Sequence, residues 1–343
     1  MAEVERLLIR APNWLGDAVM ALPALAAVRR AYAHAQIVVA ARAPVAPLFR
    51  EQTGVAPNDV VIVDERGETG QLRAINADAL LLLPNSFRSA WVARLAGVRE
   101  RWGYRAAGRG WLLTRGVSRP RRAGAPVHQV RYYLDLVRGL GIDPGEDAVP
   151  RLAPRLSTLE KADALLLRNG VAAGQRLVGF APGASYGTAK RWPPDRFATV
   201  VDALSRGGTT GVLVGAAGDR DTARAIESAL PASTRVVNLI GRTSVGELIG
   251  VVARCAAFVS NDSGAMHVAA ALAVPLTAIF GPTDERVTAP VGAGPADVIV
   301  RDVFCRPCLL RECPIDHRCM KRIESDAVRR SVQSHIDANE SRE

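Results

Sequence analysis

The sequence predicts an α/β protein built as two doubly wound units in tandem, each a parallel sheet covered by helices. Three observations carry that reading. Apolar runs of strand length alternate with stretches of helical spacing, first from Arg6 and again from Leu177. Between the two series, Pro144, Pro150 and Pro154 crowd into residues 144–157, the composition of a linker. The 343 residues, 48% of them hydrophobic, suffice for two separate cores.

The first series opens with a strand at Arg6–Arg10 and a turn over residues 11–17. Ala18 to Tyr32 has helical spacing, and Pro23 inside it predicts a kink. Strands follow at Ile37–Ala41, Val60–Val63 and Ala79–Leu83, each succeeded by a turn or helical stretch, which calls for right-handed crossovers. Asn13 and Asp17 therefore follow the first strand, and Asn85, Ser86 and Arg88 the fourth, at the carboxyl ends where such sheets hold ligands. Asp17 reads equally as a helix N-cap.

Charge is uneven along this half. The net charge is +10, and ten arginines between Ser86 and Arg122 face one acid, Glu100. That imbalance predicts an anionic partner: a phosphorylated glycolipid, a membrane surface or nucleic acid. Trp91, Trp102, Tyr104 and Trp111 interleave the arginines and suit stacking on bases or sugars, or plain packing. No apolar run reaches the ~20 residues of a membrane span, and the N-terminus lacks the layout of a signal peptide, so a cytosolic location is expected.

The second series starts with a strand at Leu177–Ala181 and a loop at 182–193. Small residues, the hydroxyls of Ser185 and Thr188, and the Lys190-Arg191 pair suit a pyrophosphate. Pro193 or Pro194 then opens a helix. A strand at Gly211–Gly215 ends just before Asp219, which reads as a ribose ligand or as a helix cap. After a helix at Ser244–Arg254 comes a strand at Ala256–Ser260, then Asn261-Asp262-Ser263-Gly264 and an alanine-rich helix carrying His267. A helix start aims backbone N–H groups and a positive dipole end at its guest, usually phosphate. The same residues also read as an ordinary capped turn. Leu276–Phe280 is a further strand, and an amphipathic helix runs from Lys321. Cys305, Cys308, Cys313 and Cys319 lie within fifteen residues, which suits either a structural zinc or plain thiols in a docked loop. Walker, GxGxxG and Gly-x-Ser-x-Gly signatures are missing, against P-loop, dinucleotide and serine-hydrolase chemistry.

Taken together, these residues resemble the ADP-heptose:lipopolysaccharide heptosyltransferases, most closely their type II branch. The resemblance rests on residues 11–17, 83–90, 182–193 and 261–270 and on the cysteine loop 305–319. It implies a GT-B fold, two Rossmann-like domains facing a cleft. Residues 1–150 would take the acceptor, 158–320 the nucleotide sugar, and the helix 321–343 would cross back to the first domain. The implied reaction is inverting transfer of L-glycero-D-manno-heptose from ADP-heptose to the first heptose of the inner core on Kdo2-lipid A. In it Asp17 would be the general base and Lys190 the phosphate-binding cation. Ser185, Thr188, Asp219, Asp262, Ser263, Gly264 and His267 would surround the donor, and Asn13, Asn85, Ser86 and Arg88 the acceptor. No metal or other cofactor is required in that reading. The enzyme would work at the anionic cytoplasmic face of the inner membrane, with no nucleic-acid partner. The competing readings are another nucleotide-sugar-dependent transferase of the same fold and a basic nucleic-acid-binding module with a zinc loop.

Overall fold

The structure, a computed structural model, describes residues 4–119, 126–146 and 148–340. The chain divides into two compact units, Met1–Ala153 and Pro154–Glu343, and the division falls inside the proline-rich stretch 144–157.

The first unit runs β1 (Arg6–Arg10), α1 (Leu15–Met20), α2 (Leu22–Ala31), β2 (Gln36–Ala41), β3 (Gln52–Thr53), β4 (Asp59–Ile62) and α3 (Glu68–Ala74). It continues through β5 (Ala79–Leu82), α4 (Phe87–Leu95), β6 (Glu100–Tyr104), β7 (Arg115–Val117), α5 (Gln129–Gly139) and β8 (Leu152–Ala153). Six strands form a parallel sheet in the order β4-β2-β1-β5-β6-β7, and β3 pairs antiparallel with β8. Leu7, Leu8 and Ile9 and the whole of β5 are buried, the unbroken apolar text of strands covered on both faces. Strand order reverses between β1 and β5, so the segments following these two strands flank the sheet's switch point.

The helical stretch 18–32 divides at Ala21 into α1 and α2, with Pro23 in the first turn of α2; Ala21 keeps right-handed helical backbone, and its N–H donates to the carbonyl of Asp17 at 3.0 Å. Proline is tolerated there because the first turn needs no N–H from it. In addition, β6 and β7 lie inside the arginine tract. Buried Trp102 and Tyr104 of β6 are flanked by Arg101 and Arg105, which hide the strand pattern.

The second unit runs α6 (Leu156–Arg168), β9 (Leu177–Ala181), α7 (Pro194–Arg206), β10 (Thr210–Leu213), α8 (Arg220–Ala229), β11 (Val236–Asn238) and α9 (Val245–Ala253). Then come β12 (Cys255–Asn261), α10 (Gly264–Ala271), β13 (Leu276–Ile279), α11 (Glu285–Thr288), β14 (Ala296–Ile299), α12 (Arg318–Lys321) and α13 (Ser325–Glu340). Its parallel sheet has the order β11-β10-β9-β12-β13-β14, the same winding as the first, with the switch point between β9 and β12. Both units are therefore Rossmann-like.

The apolar stripe of the C-terminal helix lies in the core of the second unit. Val328, Val332 and Ile336, one turn apart along α13, are buried in the core of the second unit, where the helix packs on α7, β12 and β13. The indole N–H of Trp192 donates to the carbonyl of Ile323 at 3.0 Å, just ahead of that helix. The apolar stripe of α13 is thus buried within its own unit. Among the described residues no helix is long and apolar enough to cross a membrane.

Candidate active site

At the carboxyl end of β1, Arg10 is buried and its guanidinium is fully directed. Nε donates to Glu68 Oε1 at 2.7 Å, Nη1 to the carbonyl of Ala11 at 2.5 Å and Nη2 to Asn13 Oδ1 at 2.8 Å. The other oxygen of the buried Glu68 accepts from Arg88 Nη1 at 2.5 Å, and Arg88 Nη2 reaches the carbonyl of Glu65 at 2.6 Å. One carboxylate between two guanidiniums therefore sets the positions of both Asn13 and Arg88. Burial pushes Glu68 upward and is the largest single influence. Hydrogen bonds and charges from Arg10 and Arg88 together outweigh it and hold the carboxyl below its ordinary value.

Asp17 lies in the first turn of α1, and Trp14 occupies the N-cap position, so Asp17 is not the cap of this helix. Its negative charge acts on Tyr133 of α5, whose phenol is pushed up chiefly by burial and then by Asp17.

The segment after β5 is held by Arg109, which is fully buried. Arg109 donates to the carbonyl of Pro84, to Ser89 Oγ at 2.9 Å, to Asn85 Oδ1 at 3.3 Å and to the carbonyl of Tyr104 at 3.0 Å. Burial brings its pKa down to about 10. Asn85 Nδ2 donates to the hydroxyl of Tyr132 at 2.6 Å, and Ser86 caps α4, its Oγ accepting from Ser89 N at 3.2 Å. Ser86 thus has a structural role, and Arg109 is a positioning residue that local sequence does not reveal.

The arginine tract divides into internal and external members. Arg101 donates to the carbonyls of Leu112, Val98 and Arg99. Arg115 donates to that of Leu140 and stacks 4.9 Å from the Trp102 ring centroid. Arg94, Arg99, Arg105 and Arg119 are exposed. Arg121 and Arg122 lie outside the described residues.

In the second unit the loop after β9 is closed at both ends by Asn261, the fully buried last residue of β12. Asn261 Nδ2 donates to the carbonyl of Pro182 at 2.7 Å, and its Oδ1 accepts from Trp192 N at 3.3 Å. Gly183 lies so close to Asp219 that a β-carbon there would sit 2.1 Å from the carboxylate. Asp219 occupies the N-cap position of α8 without a side-chain cap bond. Its oxygens accept instead from Arg191 Nη2 and Ala216 N, both at 3.1 Å. The buried Asp219 is therefore a brace for the loop.

Lys190 ends a short 3-10 turn in this loop. Its Nζ lies 2.5 Å from Asp262 Oδ2, in a pair whose side chains are both largely buried, and 4.8 Å from the centroid of the Tyr186 ring. Thr283 donates its hydroxyl to the same Asp262 oxygen at 2.7 Å. Ser263, not Asp262, is the N-cap of α10, and its Oγ pairs sideways with Ser260 Oγ at 3.0 Å rather than capping the helix. Gly264 is the first residue of α10, His267 is buried, and Ser185 and Thr188 stand exposed on the loop. A carboxylate near a phosphate site would ordinarily repel its ligand; pairing with Lys190 offsets that charge and orients the ammonium.

The cysteine-bearing segment docks on this loop. Tyr186 donates its hydroxyl to the carbonyl of Leu309 at 2.7 Å, and Ala189 N to that of Arg311 at 3.0 Å. Gly187 lets the Arg311 backbone approach: a β-carbon at Gly187 would lie 2.2 Å from that carbonyl oxygen. Among the described residues no group of three or more His, Cys, Asp or Glu side chains is placed to hold a metal ion; all five cysteines are free thiols, and the charges of Cys305, Cys308 and Cys313 act on Cys319, whose thiol is pushed up chiefly by burial. Main-chain hydrogen bonds and Arg306, which donates to the carbonyls of Gly281 and Thr283, hold the segment.

The sequence profile of glycosyltransferase family 9 (heptosyltransferase) matches residues 69–318. Lipooligosaccharide heptosyltransferase 2 of Haemophilus influenzae is 32% identical over 83% of this chain and 86% of its own length. Lipopolysaccharide heptosyltransferase 2 of Escherichia coli K12 is 33% identical over 83% of this chain and 85% of its own. The solved structure of E. coli ADP-heptose lps heptosyltransferase II superposes with a TM-score of 0.82, at 28% identity over 98% of this chain and 99% of that one. With two Rossmann-like units of matching winding and this likeness along nearly its whole length, the chain belongs to glycosyltransferase family 9, the heptosyltransferases, and has their GT-B fold.

Proposed function

We propose that this enzyme transfers L-glycero-D-manno-heptose, with inversion, from ADP-heptose to the first heptose of the lipopolysaccharide inner core. The observation that carries the reading is the ion pair of Lys190 and Asp262 beside the start of α10, at the switch point of the second sheet. A held cation, exposed hydroxyls at Ser185 and Thr188 and a helix N-terminus together suit a diphosphate. The type II relatives are lipopolysaccharide and lipooligosaccharide heptosyltransferases, and the similar solved structure is an ADP-heptose lps heptosyltransferase, which supports the donor and the acceptor class.

In this mechanism the second unit binds the donor and the first the acceptor. The carboxylate of Asp17 takes the proton of the acceptor hydroxyl as its oxygen bonds to the anomeric carbon of the heptose. The bond from that carbon to the phosphate oxygen breaks, and the electron pair leaves with ADP. Lys190 and the dipole of α10 stabilise the charge that grows on the leaving diphosphate. Asn13 and Arg88, set in place by Glu68, and Asn85, set by Arg109, line the acceptor end. We assign the neutralisation of ADP to these protein groups, without a metal. The acceptor is Kdo2-lipid A bearing one heptose, met at the cytoplasmic face of the inner membrane.

The test is incubation with ADP-heptose and that acceptor, read by mass spectrometry. One added heptose is expected, and Asp17→Asn should lower turnover by about 10²–10⁴-fold while the protein stays folded. Near-normal turnover in the folded variant removes Asp17 from the mechanism. Donor binding with no heptose gained moves the acceptor elsewhere.

A further inference from the structure

The helix α4 is apolar on two sides. Ala90 and Ala93 face the core of the first unit. On the outer side Phe87, Trp91 and Leu95, spaced four residues apart, are 42%, 41% and 46% exposed. Trp111, from the short turn Gly110–Leu112, joins them and is 70% exposed. The three rings form one cluster, with centroids 6.2 Å apart for Phe87 and Trp91, 6.2 Å for Phe87 and Trp111, and 6.4 Å for Trp91 and Trp111. A folded unit does not need three aromatic rings gathered at its surface for its own stability, and such a patch marks a contact.

The charges around the patch identify the partner. At about 100° per residue along a helix, Arg94 and Arg88 border the Phe87–Trp91–Leu95 stripe on its two sides. Arg94, Arg99 and Arg105 are all exposed, and within residues 86–119 the only acid is Glu100. The Glu100 carboxylate accepts from the Trp102 indole and the Thr114 hydroxyl, so it is engaged inside the sheet edge. A protein partner of ordinary surface would present both signs of charge. An aromatic cluster bordered by exposed arginines, in a tract whose single acid is engaged, instead matches the interfacial zone of an anionic bilayer, where Trp rings seat at headgroup depth and arginines meet phosphates.

We propose that Phe87, Trp91, Leu95 and Trp111 form the bilayer-docking face of this enzyme, seated in an anionic lipid surface and steered there by Arg94, Arg99 and Arg105. The inference rests on the proposed lipid-linked acceptor and deepens it. The docking helix is the one capped by Ser86 and carrying Arg88, so docking brings the expected acceptor residues of this unit to the surface where a lipid-linked sugar is displayed.

The experiment is sedimentation of the full chain with large unilamellar vesicles of phosphatidylcholine, with or without phosphatidylglycerol. It is paired with transfer to a deacylated, water-soluble acceptor. The wild type should co-sediment with the anionic vesicles and much less with the neutral ones. Trp91→Ser/Trp111→Ser should bind anionic vesicles at least tenfold more weakly while keeping its melting temperature and its transfer to the soluble acceptor. Phe87→Ser is the second variant should that pair fail to fold. Vesicle binding that is unchanged in the folded variants, or missing in the wild type, overturns the proposal. So does a change of oligomeric state with vesicle binding intact, which assigns the patch to a second copy of the chain. Loss of heptose transfer by the wild type, with vesicle binding retained, refutes the proposed reaction and leaves the docking face standing.

Discussion

Asn261 offers the sharpest test of how the donor end is built. Leucine has nearly its shape and neither of its hydrogen-bonding groups, so Asn261→Leu removes the two hydrogen bonds that Asn261 makes to the ends of the 182–192 loop without opening a large cavity. Two backbone groups then lose their partner: the carbonyl of Pro182, held at 2.7 Å, and the N–H of Trp192, held at 3.3 Å. A buried polar group left unpaired costs about 1–3 kcal/mol. The longer bond belongs at the low end, so the sum is about 2–4 kcal/mol. For a unit of this size each kcal/mol lowers Tm by about 2–4 °C, which places the expected fall at roughly 5–15 °C. The functional effect is separate and should exceed the stability effect well below Tm, because the loop carries Lys190, Ser185 and Thr188. Calorimetry gives the first quantity, and titration with ADP at a temperature where the variant is folded gives the second. ADP affinity should fall by tenfold or more, with acceptor binding unchanged. A variant with wild-type Tm and wild-type ADP affinity would refute the claim that Asn261 organises the loop.

Two further outcomes follow from the ion pairs. Lys190→Met should abolish measurable transfer and also destabilise the second unit by about 3–5 kcal/mol, since it leaves the Asp262 carboxylate buried without its cation. Adding Asp262→Asn should restore much of the melting temperature but not turnover; if turnover returned with stability, Lys190 would have only a structural role. Glu68 titrates with a definite sign: its folded pKa lies below its unfolded value. Its contribution is therefore fully present above the unfolded value of about 4.3 and is lost as pH falls through the folded pKa. Wild type should melt higher than Glu68→Gln at about pH 7, and the gap should narrow as the pH falls below about 4. A gap independent of pH would show that Glu68 acts by shape rather than charge.

Features written in a few consecutive residues were legible. Apolar runs at Arg6–Arg10 and Leu177–Ala181 declare strands, and the polar, small residues after them declare crevice loops, because hydrophobic period and turn chemistry are local properties. The segments holding Asp17, Lys190 and Asp262 could therefore be placed at strand ends before any coordinates were known. The strands at 100–104 and 115–117 were hidden, since arginines whose guanidiniums bond carbonyls inside the fold look the same in sequence as arginines facing water. The cysteine spacing suited either a structural zinc or plain thiols in a docked loop, and the structure shows how that segment docks: its backbone carbonyls at Leu309 and Arg311 support the lysine loop.

What sequence alone determined was the α/β class, the two-unit organisation, the positions of the loops at the strand ends and, through resemblance, the heptosyltransferase family. Tertiary structure decided which side chains are free to act and which hold others in place. Asn261 binds Pro182 across 79 positions, and Arg10 finds Glu68 across 58. Partners at such separations leave no periodic or compositional trace, and only burial, which removes the competing water, makes their pairing decisive. The same holds for α13: its amphipathic stripe is written in the chain, but which surface it covers was settled by the packing of the second unit's own core.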